Sequence, residues 1–313
     1  MESTVLAATW RDGVFVFSGE ARHHELAGQV VRALAPDGQG GALAIVDGHS
    51  LCRRTPRGKW SIIATSELAL ACSVAVGDVI YVGTDDAHLL RVGSNGQIDK
   101  LPGFDALPGR DTWYAGSALI NGRIVGPPLG IRSITATADG AVLLANVHVG
   151  GIPRSTDGGV TWQPTLDIDS DVHEVCAHPI HPGIVMAAAA VGLCVSRDGG
   201  ATWTIEQEGL HELYCSAVAF SGNDVLVAAS ADHFASQGAV YRRPIDEKCP
   251  LAPIGGAFPR WIDGIADTGC IAARESSVAV GDRGGNLYTS VNAGRTWSHR
   301  ASDLSAVSSV LVV

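Results

Sequence analysis

A chain of 313 residues with 46% hydrophobic residues, 38 glycines and 14 prolines has ample material for a buried core, since ~300 residues hide about 75% of their unfolded surface. Its formal charge of −10 and scattered 22 Lys and Arg argue against a nucleic-acid partner, because phosphate binding relies on clustered basic side chains. No apolar run reaches the ~20 residues of a membrane helix, and seven cysteines without CxxC spacing suit reduced thiols better than a disulfide framework.

The chain opens Met1-Glu2-Ser3-Thr4-Val5 with neither a basic segment nor a sustained apolar one, which predicts no signal peptide and a cytoplasmic location. Residues 5–10 and 14–18 read as strands. Further runs rich in Val, Ile and Ala follow at 30–35, 72–76, 132–137, 173–178, 215–220, 268–273 and 307–313, each suited to a strand covered on both faces. A second run follows several of them after a Gly or Asp turn, as at 142–149, 184–190 and 225–229. No segment shows a capped stripe of 3.6-residue period.

An octapeptide punctuates these runs. Ser155-Thr156-Asp157-Gly158-Gly159-Val160-Thr161-Trp162 returns from Ser196 to Trp203 and, with Asn292 in place of Asp, from Ser290 to Trp297. The first interval is 41 residues and the second, 94, is two periods; a worn copy ends at Trp60. A four-stranded propeller blade takes ~40–50 residues, so the rhythm predicts an all-β, seven-bladed β-propeller with four-stranded antiparallel blades over residues 1–313 as a single domain. Its last blade would combine residues 4–27 with strand 307–313, joining the two termini and removing an exposed sheet edge.

The octapeptide resembles the BNR/Asp-box repeat (YVTN/BNR-like, within the sialidase superfamily). The resemblance implies that the box is the hairpin between a blade's third and fourth strands, away from the channel, so its aspartates are structural. It implies no single activity, because one fold hosts many functions. Sialidases carry an Arg-Ile-Pro motif, which is missing here; Gly151-Ile152-Pro153-Arg154 has the wrong order.

Candidate chemistry lies where inner strands begin. Aligning them on Ile134, Val175 and Ala217 places Arg132, His173 and Cys215 at equivalent positions of the channel mouth, with Cys72 and Thr268 level with them. His148 and His173 should meet between neighbouring blades. They are candidate ligands for one divalent transition metal, with Cys215, Glu174 or His211 as third donor; alternatively one His is a general base beside Arg132, which would clamp an anion. The loop at 110–130, with Trp113 and Tyr114, and the segments carrying His211, Tyr214, Trp261 and Asp263 are candidate substrate contacts. The expected function is an intracellular enzyme of hydrolase or lyase type acting on a small polar or anionic ligand in the channel. The alternatives are a scaffold for a protein or peptide, or a glycan-binding or glycoside-hydrolysing protein.

Overall fold

Small and β-branched residues build every inner strand, because adjacent sheets press on both of its faces. The computed structural model describes residues 3–114, 118–120, 123–125 and 129–313. Among them, seven antiparallel sheets of four strands, one extended by a fifth, form a seven-bladed β-propeller. The inner strands are Val31–Pro36, Leu70–Val76, Ile131–Ala136, Val172–Ala177, Tyr214–Ser221, Ile271–Arg274 and Val307–Val312. They belong to blades two to seven and then blade one. A short two-stranded ribbon, Ala118–Ile120 with Arg123–Val125, stands outside the blades. No helix among the described residues is long and apolar enough to cross a membrane.

Blade one is closed by both ends of the chain. Val5–Thr9 pairs on one side with Val14–Ser18 and on the other with Val307–Val312, Leu6 lying opposite Leu311. Val310, Leu311 and Val312 are all buried, so the carboxyl-terminal strand is a core element.

The repeated octapeptides form hairpin turns between third and fourth strands. In the second copy, Asp198 accepts the N–H groups of Ala201 and Thr202 and the Thr202 hydroxyl, while the Ser196 Oγ accepts the Gly200 N–H. Gly200 has φ +80°, and a Cβ there would sit 2.2 Å from Leu144 of the preceding blade, so glycine is required twice over. Each Trp packs back onto that preceding blade: Trp162 joins Tyr81 and Phe104, and the Trp203 indole donates to Thr165. These turns are spacers that set the pitch between blades.

Six of the seven inner strands share a second local device. Each carries a one-residue bulge near its start, at Ser308, Arg32, Ala71, Arg132, His173 and Ser216. The residue before it (Val307, Val31, Leu70, Ile131, Val172, Cys215) is buried and anchors the strand, while the bulge re-aims the extra side chain. The next side chain then ties blade to blade: Ser309 accepts the Leu34 N–H, Ser133 that of Val175, and Glu174 that of Val218.

This register corrects the alignment of blade six. Its bulge residue is Ser216, so Cys215 is equivalent to Ile131 and Val172 rather than to Arg132 and His173. The Cys215 thiol is fully buried in the apolar cluster with Val218, Val227 and Tyr241. In blade three the bulge falls on Ala71, one residue before Cys72.

Candidate functional site at the channel mouth

The bulge that displaces His173 also sets its Nδ1 contact. Its Nδ1 lies 2.6 Å from the Cys215 carbonyl oxygen, which can only accept, so Nδ1 is the donor. Neighbouring blades use the same contact, since Ser308 donates to the Val31 carbonyl and Ser216 to that of Ala266. His173 Nε2 is buried and has no hydrogen-bond partner. It faces Asp171 Oδ1 at 3.7 Å, and His148 Nε2 lies 3.4 Å from that same oxygen. One donor atom from each of the three residues falls within 4.8 Å of the other two.

Local structure holds each member in place. Asp171 ends the single helical turn Ile168–Ser170 in the left-handed region, at φ 46° and ψ 74°. Its N–H donates to Ile168 and its carbonyl accepts from Ala190, which fixes this uncommon backbone. His148 follows Leu143–Val147 into a tight turn, with its N–H on the Gly130 carbonyl. The Tyr214 ring lies against His173, centroids 4.2 Å apart.

Burial, reinforced by the positive charge of Arg132, pushes the His148 pKa down to about 4, so its imidazole is neutral at neutral pH. Burial acts to raise Asp171, but the hydrogen-bonding capacity and charge of His173, with His148 and Arg132 behind, outweigh it and hold the carboxyl below its ordinary range.

Arg132 donates to Asp267 at 2.8 Å, across from blade four to blade seven. Burial would raise Asp267; the Arg132 charge, then His233 and the Thr268 N–H, hold it ionised. Thr268 donates to the His173 carbonyl and Gly269 to Glu174, so residues 267–269 bridge blades five and seven over the channel. Burial lifts Glu174 to about 8 in spite of its two N–H donors.

Above this bridge lies a cavity of about 790 Å³ whose wall includes Arg11, Arg32, Arg132 and Arg283, with Asp85, Asp267 and the aromatic rings of Trp10 and Phe234. Four cations against two carboxylates make this wall positive in a chain of net charge −10. Sequence reasoning missed Arg32, Arg283, Trp10 and Phe234. Arg32 was findable, because Val31-Arg32-Ala33 repeats the buried–charged–small pattern of Ile131-Arg132-Ser133.

The remaining candidates scatter. Tyr214 reaches the site through its ring on His173. His211 instead stacks on Tyr241 and meets the Trp261 ring edge-on, with Arg260 over Trp261. Asp263 pairs with Gln237 on that blade's added strand and takes a hydrogen bond from Asn286. None of these three lines the cavity. Trp113 is corrected from substrate contact to core: it is buried against Phe104 and Arg110, because an indole at a loop base is driven inward wherever the neighbouring blade leaves a gap. Tyr114 is exposed, and part of the loop at 110–130 lies outside the described residues.

The class that fold and geometry define is a seven-bladed propeller with a cation-lined pocket at one channel mouth. Neither a protein-family model nor a curated protein sequence matches the chain. Among solved structures it is similar to a GH74 enzyme of Niastella koreensis, at 14% identity and TM-score 0.62, over 96% of this chain and 47% of that one. It thus spans about half the length of that enzyme. It is also similar to YCF48 bound to D1 peptide, at 12% identity and TM-score 0.55 over 86% of this chain and 81% of that one. A functionally unknown protein of Desulfotomaculum acetoxidans matches at 11% identity and TM-score 0.64, over 100% of this chain and 99% of that one. Identities this low establish the shared propeller fold.

Proposed function

We propose that this propeller is an enzyme of hydrolase or lyase type that acts on a small anionic molecule bound in the channel-mouth cavity. The observation carrying the reading is the positive cavity wall, set in an acidic protein; its Arg132 also acts by charge on His148 and Asp171, although neither they nor His173 line the cavity. A low-dielectric cleft lined by one sign of charge concentrates ligands of the opposite sign. Arg32 and Arg132 are in place before any ligand arrives, braced by Asp85 and Asp267, so binding demands little reordering. The His-Asp-His group is the reactive pole, with one divalent transition metal as its cofactor. The Asp-box reading of the octapeptides belongs to the same proposal and gives them a purely architectural role.

Calorimetric titration with small phosphate monoesters, carboxylates and matched neutral analogues tests the ligand class. The anions should bind and the neutral analogues should not, and Arg132→Ala should weaken anion binding by about 10-fold or more, the loss of one charge-assisted contact. Equal binding of charged and neutral compounds, or none by either, contradicts the reading.

A second reading rests on the exposed top-face aromatics Trp10 and Phe234, 44% and 57% exposed, and on similarity to a propeller solved with a peptide. Aromatic anchors of this kind suit a protein or peptide partner. Trp10→Ala and Phe234→Ala should then abolish capture of a peptide.

A further inference from the structure

We propose that His148, Asp171 and His173 form a site for a single divalent first-row transition-metal ion, held by two imidazole nitrogens and one carboxylate oxygen. This deepens the functional reading above by giving its cofactor a specific ligand set, and rests on that reading only for what the ion would do there.

Geometry comes first. Around a tetrahedral ion with ligand bonds of ~2.0–2.2 Å, donor atoms lie about 3.3–3.6 Å apart. The distances of 3.4 Å and 3.7 Å from Asp171 Oδ1 to the two Nε2 atoms are close to that spacing. The His148 and His173 donor atoms lie within 4.8 Å of each other, so an ion would have to draw the two rings together.

Unmet valence comes second. His173 Nε2 and Asp171 Oδ1 are both buried without hydrogen bonds, and such atoms cost free energy unless something satisfies them. A proton between them would serve only at about 2.7–3.2 Å, and the two atoms stand 3.7 Å apart.

The surrounding contacts are those a metal ligand needs. A ligating imidazole usually donates its other N–H to a carbonyl or carboxylate, which fixes the tautomer; the Cys215 carbonyl does this for His173 at 2.6 Å. Asp171 is delivered by a backbone held in the left-handed region, an uncommon state that functional sites retain. The donor types suit zinc or iron(II) rather than soft copper(I) or the all-oxygen shells of calcium and magnesium. Three protein donors leave at least one coordination position for a ligand atom or water, the arrangement of catalytic rather than structural sites.

Cys215 is excluded as the third donor by its register. Its side chain belongs to the apolar cluster of blade six, and only its carbonyl reaches the site.

The test is titration of the chelator-stripped full chain with cobalt(II) chloride, read by absorption spectroscopy and calorimetry. One cobalt per chain is expected, with visible d–d bands and no thiolate charge-transfer band. Asp171→Ala and His173→Ala should each weaken binding by more than about 100-fold, beyond the 10–100-fold that losing an outer-shell partner costs. Asp171→Asn, which tolerates the same backbone, keeps the fold question separate and should also weaken binding, while Cys215→Ser should change neither stoichiometry nor spectrum. Absence of stoichiometric binding, retention of affinity in folded Asp171→Asn and His173→Ala, or a thiolate band lost in Cys215→Ser would overturn the proposal. Anion titrations of the stripped protein keep the two readings apart. Anion binding without cobalt binding removes the metal and leaves the ligand pocket, and cobalt binding without anion binding does the reverse.

Discussion

At the scale of single residues, the three octapeptide turns contain their own control. Asp157 and Asp198 accept N–H and hydroxyl bonds from Thr161 and Thr202, and these bonds hold both carboxyls down to about 2. Asn292 makes the equivalent contacts with Thr296 and does not titrate. A carboxyl depressed on folding contributes stability at pH values above its unfolded pKa of ~3.9, and the contribution is lost as pH falls toward the folded value. Hydrogen exchange at the Thr161 and Thr202 amides should therefore accelerate between about pH 4 and pH 2, relative to Thr296. Parallel behaviour of all three would contradict the assigned role. Trp113 supplies a second residue-scale outcome. Because its indole is buried against Phe104, Trp113→Ala should lower stability by about 3–5 kcal/mol, seen in denaturant melts, with anion affinity unchanged.

At the scale of elements, the turns were legible in the sequence because their chemistry is local: Ser, Asp, Gly and Trp at fixed offsets specify one hairpin whatever surrounds it. The bulges were legible only where the extra residue carries charge between an apolar and a small neighbour, as at Arg132 and His173. In blade six, Cys215-Ser216-Ala217 offers no such contrast, and pairing with the second strand decides which residue is extruded. The one-residue error moved a thiol from core to candidate ligand. Asp171 was overlooked as a donor because an Asp before a strand reads as a turn former. Its left-handed backbone after the turn Ile168–Ser170, together with the bulge at His173, brings the two side chains together, and neither feature follows from strand alternation. Gly200→Ala probes this scale: with φ +80° and Leu144 in the way, it should cost more than about 1 kcal/mol and loosen blade five against blade four, seen as faster amide exchange in both.

At the scale of the whole molecule, ring closure distributes stability. The carboxyl-terminal strand is buried throughout and pairs with Val5–Thr9, and burying each large aliphatic side chain contributes about 1.5–3 kcal/mol. Deleting residues 310–313 removes three such side chains. The expected loss is on the order of the 5–15 kcal/mol that stabilises a typical domain, so the truncated chain should fail to melt cooperatively. Closure also shapes the cavity, because it brings Trp10 and Val307 from opposite ends of the chain into the same wall as Arg132 and Asp267.

Anomalous diffraction from crystals grown with zinc or cobalt, recorded at the metal's absorption edge, tests the site most directly. The expected map has one peak per chain at the channel mouth, about 2.0–2.2 Å from donor atoms of His148, Asp171 and His173. A map with no peak there, or with its peak on the Cys215 sulfur, would contradict the proposed metal site.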